Sequence, residues 1–193
     1  MCGIPVNSKT INILADVVQA NKNFEDPEFP HKIDSICPNS QHPKYDVFQK
    51  AIWSRPPIFT YVAYDRIRLF DIIEAVDVRQ YFLETSYLDA AMSASAMQKR
   101  AINNCFLNRV ENKFGVYGTR LFIDGVQTEV VVDDYFPIEE HPSKVSLFGI
   151  PNGRELWVIV LQKAFAKTFK SYTSLENGEA SEAFEIMHGC PCQ

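Results

Sequence analysis

The chain has 193 residues, 46% of them hydrophobic and 22% charged, which is the balance of one globular domain or two small lobes and excludes a disordered or fibrous chain. Its 19 Lys plus Arg against 24 Asp plus Glu give a formal net charge of -5, which excludes a whole-surface cationic footprint for nucleic acid or anionic lipid and leaves only a local basic patch open. No run approaches the roughly 18 apolar residues of a membrane span, and the start, MCGIPVNSKT, lacks the apolar centre of a signal peptide, so an intracellular location is expected. In chain order, residues 10–21 carry Ile11, Leu14, Val17 and Val18 on one face after a capping Ser8 or Thr10, which predicts a short amphipathic helix. From Phe24 to Pro57 the chain holds six of its eleven prolines and little periodicity, so an extended wrapping segment is expected, pinned by Phe24, Phe29, Tyr45, Phe48 and Trp53.

Residues 86–110 predict one long helix, thinned by Ala90, Ala91, Ala94 and Ala96 and filled by Leu88, Met92, Ile102, Phe106 and Leu107. Ser86 with Asp89 three residues on has the pattern of a capping box. The period then drops to two: residues 114–123 and 126–132 flank Asp124-Gly125, the strongest hairpin signal in the chain. A further helix is expected over 154–170, with Leu156, Trp157, Val160, Leu161, Ala164 and Phe165 buried, and a last one over 179–187. Five cysteines at 2, 37, 105, 190 and 192 form an odd, uneven set that fits reduced thiols better than a disulfide framework. Cys2 is a candidate for reversible acylation and so for a lipid anchor.

Several motifs in fixed order point to a family. FEDPEFP at 24–30, W-S-R-P at 53–56, VVVDDYFP at 130–137 and ELWVIVLQKAFAKTFKSYTSL at 155–175 resemble, in order, the FxDxxFP, WxRP, VVVDDxLP and EFWxxLLEKAYAKxxGSYxxL motifs of the calpains, and EAFEIMHG at 182–189 is a worn form of EAxxDFTG. The chain therefore resembles the first half of the calpain protease core, a papain-like cysteine peptidase that calcium assembles from two subdomains. The resemblance implies an α+β fold, the helical lobe of a papain-like protease with a long central helix and a small antiparallel hairpin. It divides the chain into an N-terminal extension with a short helix (1–23), the first core subdomain (24–189) and a Cys-containing tail (190–193). It also implies a cytoplasmic or cytoskeleton-associated protein engaged with a protein partner or a second protease subdomain.

The family's catalytic motif, QGxLGDCWxLAA, falls on residues 80–91, QYFLETSYLDAA. Gln80 keeps the oxyanion-hole position, and Ser86 stands where the nucleophilic cysteine belongs. A thiol at a helix start beside an imidazole ionises near neutral pH and a serine hydroxyl does not, so the ordinary mechanism is lost with one sulfur. Tyr81, Glu84 and Thr85 replace two glycines and an aspartate of the motif, which points to natural relaxation of a spent site rather than a single engineered change. Glu84 opposes the negative charge that an acyl-transfer transition state develops. The catalytic histidine and asparagine of the family belong to the second subdomain, and none of His31, His42, His141 or His188 is placed as the base. A pseudoprotease acting as an interaction or regulatory module is the resulting expectation. The alternative is a calcium-dependent endopeptidase half, inactive through the change at Ser86. Tyr81, Glu84, Tyr87 and Trp157 are the expected interface residues of the face that would meet a second lobe.

The resemblance also implies a calcium site at Asp77 and Glu155, completed by carbonyls near Phe70 and Ile72. The loop has lost the family's glycine, at Ile72, so two ordinary surface acids are expected in preference to a site. Asp133-Asp134 reads as a strand end and turn former rather than a metal pair, and His188-Gly-Cys190-Pro-Cys192 as a frayed tail with free thiols.

Overall fold

The computed structural model describes residues 8–140 and 145–191. Cys2, His141 and Cys192, with the expectations attached to them, lie outside these residues. The described chain forms helices α1 (Lys9–Ala20), α2 (Ile33–Ile36), α3 (Tyr45–Gln49), α4 (Pro56–Thr60), α5 (Ser86–Ala96), α6 (Lys99–Asn104), α7 (Trp157–Thr168) and α8 (Ala180–His188). It also forms strands β1 (Ile52–Ser54), β2 (Tyr117–Ile123), β3 (Val126–Val132) and β4 (Phe136–Ile138). The strands make two antiparallel pairs, β1 with β4 and β2 with β3. This is the α+β arrangement expected, with the hairpin where Asp124-Gly125 predicted it. Both turn residues take positive φ, 50° and 75°, as a two-residue primed turn requires.

Helix α7 lies at the centre. Every residue from Trp157 to Ala166 is buried, Gln162 and Lys163 included, because α7 packs on the hairpin along one side and on the wrapping segment along another. The wrapping segment contributes Phe29, Phe48 and the half-buried Trp53 to that core, and Phe148 stacks on Tyr172 at 4.0 Å between ring centres. Instead of running extended throughout, the segment folds into two short helices, β1 and the start of α4, which satisfy its backbone between the prolines.

The family motifs meet here in one buried polar knot. The Lys163 ammonium, 0% exposed, sits 2.5 Å from Asp133, also 0% exposed, inside a box of Trp53, Phe136 and Phe29. Asp133 also receives the backbone N–H of Asp26 at 2.7 Å and faces His31 Nε2 at 3.0 Å. Asp134 takes a two-pronged hydrogen bond from Arg55, 2.8 Å on each oxygen, and the Tyr64 hydroxyl at 2.6 Å. Gly115 makes this approach possible: its φ is +74° and a Cβ there would lie 2.2 Å from Asp134 Oδ1. Asp133 and Asp134 are thus buried locks between segments, each with a cation and hydrogen-bond donors that offset its burial, and Asp133 is also the turn former expected, its Oδ1 accepting the Tyr135 backbone N–H at 2.8 Å just past the end of β3.

Three local expectations are corrected. The long helix over 86–110 is two helices, broken at Met97–Gln98. A straight continuation would bring Lys99 into line with Leu88 and Met92 on the core face; after the break Lys99 is exposed, while Ile102 and Cys105 are buried. Ser86 is not the cap: Thr85 holds that position, buried, and Ser86 is the first helical residue, exposed. In α1 the packed face is Ile13, Leu14 and Val17, with Ile11 and Val18 exposed, and the helix start is held by Glu129 of β3. Glu129 accepts from Ser8, Thr10 and the backbone N–H of Lys9, a tertiary cap no local pattern shows.

Candidate functional site

The start of α5 is fixed from beneath. Thr85 Oγ1 donates to Asp89 Oδ2 at 2.9 Å, and Gln162 Nε2 of α7 donates to Asp89 Oδ1 at 2.8 Å. Burial raises the Asp89 carboxyl above its ordinary range, against these two hydrogen bonds. With Thr85 and Asp89 turned to the core, Ser86 and Glu84 face solvent. Ser86 Oγ makes no hydrogen bond to a described residue, and each described histidine is engaged elsewhere: His31 with Asp133, His42 with Glu176 at 3.0 Å, and His188 with Ser95 at 2.8 Å. Gln80 is exposed, its backbone bridged to Gly149, and its Nε2 donates to the Leu83 carbonyl at 2.6 Å. The amide donor that an oxyanion would need is therefore engaged by the chain itself.

The neighbouring aromatic residues differ in kind. Tyr81 is 43% exposed and its hydroxyl donates to Glu139 at 3.3 Å. Tyr87 is half-buried over Gly178, where a Cβ would lie 2.3 Å from its ring, and burial with the nearby Glu182 and Asp89 pushes its hydroxyl up to about 12. Trp157 is 0% exposed at the start of α7, with Nε1 3.3 Å from Asp77 Oδ2. It is a core residue and offers no surface to a partner, because α7 is covered on every side.

Asp77 and Glu155 are not surface acids. They are 1% and 6% exposed, beside a cavity of about 260 Å³ that Asp71, Glu74 and Asn152 also line. A short parallel bridge between Arg68 and Glu155 brings the 68–77 loop against the start of α7. Asp77 accepts the Glu74 backbone N–H and Asn152 Nδ2, both at 2.8 Å, while Glu155 accepts the backbone N–H of Asp71. Asp71 pairs with Arg154 at 2.6 Å. Burial, reinforced by the charges of Asp77 and Asp71, pushes the Glu155 carboxyl up to about 7. Sequence reasoning found the two acids; it missed Asn152 and Gln162, neutral amides whose only signal is a partner distant in sequence.

Calcium asks for six to eight oxygens, and this pocket turns N–H groups toward its acids: the Asp71 N–H toward Glu155, and Asn152, Glu74 and Trp157 donors toward Asp77. Among the described residues no group of three or more His, Cys, Asp or Glu is arranged to hold a metal. The residues present do not fit a calcium site in this arrangement. In the tail, Cys190 is exposed with its thiol directed to the His188 carbonyl at 3.8 Å, and no helix among the described residues is long and apolar enough to cross a membrane.

A model of the calpain family of cysteine proteases matches residues 24–193. The chain belongs to the calpain family. It is similar to the calpain-type cysteine protease DEK1 of Zea mays, 28% identical over 176 residues that make up 90% of this chain and 8% of that protein. It is also similar to the calpain-1 catalytic subunit of Macaca fascicularis, 29% identical over 183 residues, 91% of this chain and 24% of that one. The chain therefore spans a quarter or less of the length of these two relatives. Its calpain motifs, read on the structure, divide into two groups: those of the buried knot, with every partner in place, and the 80–91 segment, where Ser86, Glu84 and Tyr81 face solvent.

Proposed function

We propose that this chain is a catalytically inactive calpain-like domain, a pseudoprotease that serves as an interaction or regulatory module. The observation that supports this reading is the state of the α5 start: an exposed Ser86 hydroxyl with no hydrogen-bond partner among the described residues, beside Glu84 and a Gln80 amide already bonded to Leu83. In this reading Ser86 occupies the position of the family's nucleophilic cysteine. A hydroxyl there ionises only with a base to take its proton, and the described histidines are bound elsewhere. Tyr81 and Glu84 make this face a polar surface with an aromatic anchor, the composition of a protein contact whose aromatic supplies affinity and whose charge supplies selectivity.

A second reading has one observation in its favour. Asp77 and Glu155 stay together, buried, with Glu155 pushed up to about 7, as in a site that once balanced a cation. It would make the chain a calcium-dependent cysteine-type endopeptidase half whose nucleophile has been exchanged.

The experiment that separates the two is restoration of the thiol. In Ser86→Cys, alkylation of residue 86 by iodoacetamide, followed by peptide mapping at pH 7, should proceed at the rate of an ordinary free cysteine, because Glu84 disfavours a nearby thiolate. Alkylation several-fold faster would show that an activating environment survives and would support the protease-half reading.

A further inference from the structure

Helix α6, the hairpin and the end of α8 enclose an open groove of about 830 Å³, within the size range of small-ligand sites. Its lining brings together Arg100 and Arg109 from either side of the α6 end and Arg120 from β2, with the amides of Gln98, Asn103 and Gln127 between them. No Asp or Glu lines it, in a chain whose acids outnumber its Lys and Arg by 24 to 19. None of the three arginines forms an ion pair with a described residue.

Arg120 carries the argument furthest. Its Nε is buried without a hydrogen-bond partner, and an orphaned buried donor calls for an explanation. Opposite it in the hairpin register stands Glu129, the acid that would ordinarily neutralise it. That carboxylate is instead held by Ser8, Thr10 and the backbone N–H of Lys9 at the start of α1. The fold thus diverts the natural counter-ion and leaves Arg120 in the groove lining without it. Arg109 is held in place separately: its Nη1 donates to the Asn103 carbonyl and, at 3.2 Å, to Asn103 Oδ1, while Asn103 Nδ2 is tied to Lys99 O at 2.9 Å. Part of its planar fork is used in orientation, and the rest is available to a ligand.

We infer that this groove binds a small organic polyphosphate, free in solution or as the head group of a lipid. Guanidinium forks match phosphate oxygens two at a time, and three of them around one opening suit several phosphate groups on one compact carbon frame. Phe122 and Met187 in the lining give the frame an apolar rest. The site is independent of the α5 face, and its ligand need not be related to proteolysis.

The test is isothermal titration of the full chain with inositol hexakisphosphate and with inorganic phosphate, alongside co-sedimentation with phosphatidylcholine vesicles with and without a phosphatidylinositol bisphosphate. Binding of the hexakisphosphate should weaken about ten-fold in Arg100→Glu and in Arg120→Gln. Lys113→Glu, an exposed cation outside the groove, should leave it unchanged. Arg100 is exposed, so Arg100→Glu should keep the unfolding midpoint of the wild type and read binding alone. Titration without co-sedimentation would assign a soluble ligand, and tighter vesicle binding a lipid head group. No binding in either arm would overturn the inference, as would equal weakening by Lys113→Glu, which would reduce the effect to general charge attraction.

Discussion

Lys163 and Asp133 show what a single residue carries in this fold. Burial alone would raise the Asp133 carboxyl, yet the Lys163 charge and the hydrogen bonds from His31 and Lys163 hold it far below the ordinary range. Its ionised form is therefore a native-state asset that is present above the ordinary value of 3.8 and is lost as pH falls below it. Removing one partner leaves a buried charge uncompensated: Lys163→Met should lower the unfolding free energy by about 3–5 kcal/mol in urea titration, and a loss under about 1 kcal/mol would mean that His31 and the backbone N–H groups suffice. Glu155 has the opposite sign. Its folded value of about 7 stands above the ordinary 4.5, so the fold keeps its proton longer than the unfolded chain and loses stability as pH rises through that window. Glu155→Gln should be more stable than wild type by a margin that grows between pH 4.5 and about 7 and is flat above it. A pH-independent margin would remove the mutual repulsion of Asp71, Asp77 and Glu155. The lowered value of His188 makes stability rise with pH through the ordinary 6.5, but it is common to both proteins and cancels.

Among the elements, α5 and its neighbours decide what the exposed face offers. Tyr87 lies over Gly178, so it couples the first turn of α5 to the loop before α8. Tyr87→Ala should therefore cost about 1–2 kcal/mol of stability, whereas Tyr81→Ala and Glu84→Lys, on the solvent side, should stay within about 0.5 kcal/mol of wild type. Gly178→Ala should cost about 1–3 kcal/mol in the wild type and much less in the Tyr87→Ala background, since its Cβ would meet that ring. Equal costs in the two backgrounds would show that the loop moves aside. Most elements were legible because they rest on local signals: the Asp124-Gly125 turn, the apolar α7, the proline-rich segment. The α5–α6 break was not, because no Gly or Pro marks it; its trace in the sequence is Lys99, which lies three turns after Leu88 and which a continuous helix would carry onto the buried face of Leu88 and Met92. Of the caps, Ser8 stands at the start of α1 as its pattern predicts, although Glu129, which holds that start, lies 119 residues beyond Thr10; the cap of α5 was misread, since Thr85 takes the place that local pattern gave to Ser86.

At the scale of the whole molecule, the motif order was legible and the family follows from it, whereas the reasons for the motifs were not. W-S-R-P and VVVDDYFP belong to one structure because Arg55 grips Asp134, a pairing that sequence distance conceals. The pair Asp77 and Glu155 was visible, but not its burial or the N–H donors turned toward it, and these decide its chemistry. Titration with calcium should accordingly give no heat, or a dissociation constant no tighter than about 10⁻⁴ to 10⁻³ M. A tighter constant lost in both Asp77→Ala and Glu155→Ala would make the pocket a calcium site after all. The proposal is that a calpain fold persists here without calpain chemistry. Its most direct measurement is turnover of casein and of short fluorogenic peptides by the full chain in millimolar calcium, with Ser86→Ala as the control. The prediction is no turnover above that control; turnover that disappears in Ser86→Ala would contradict it.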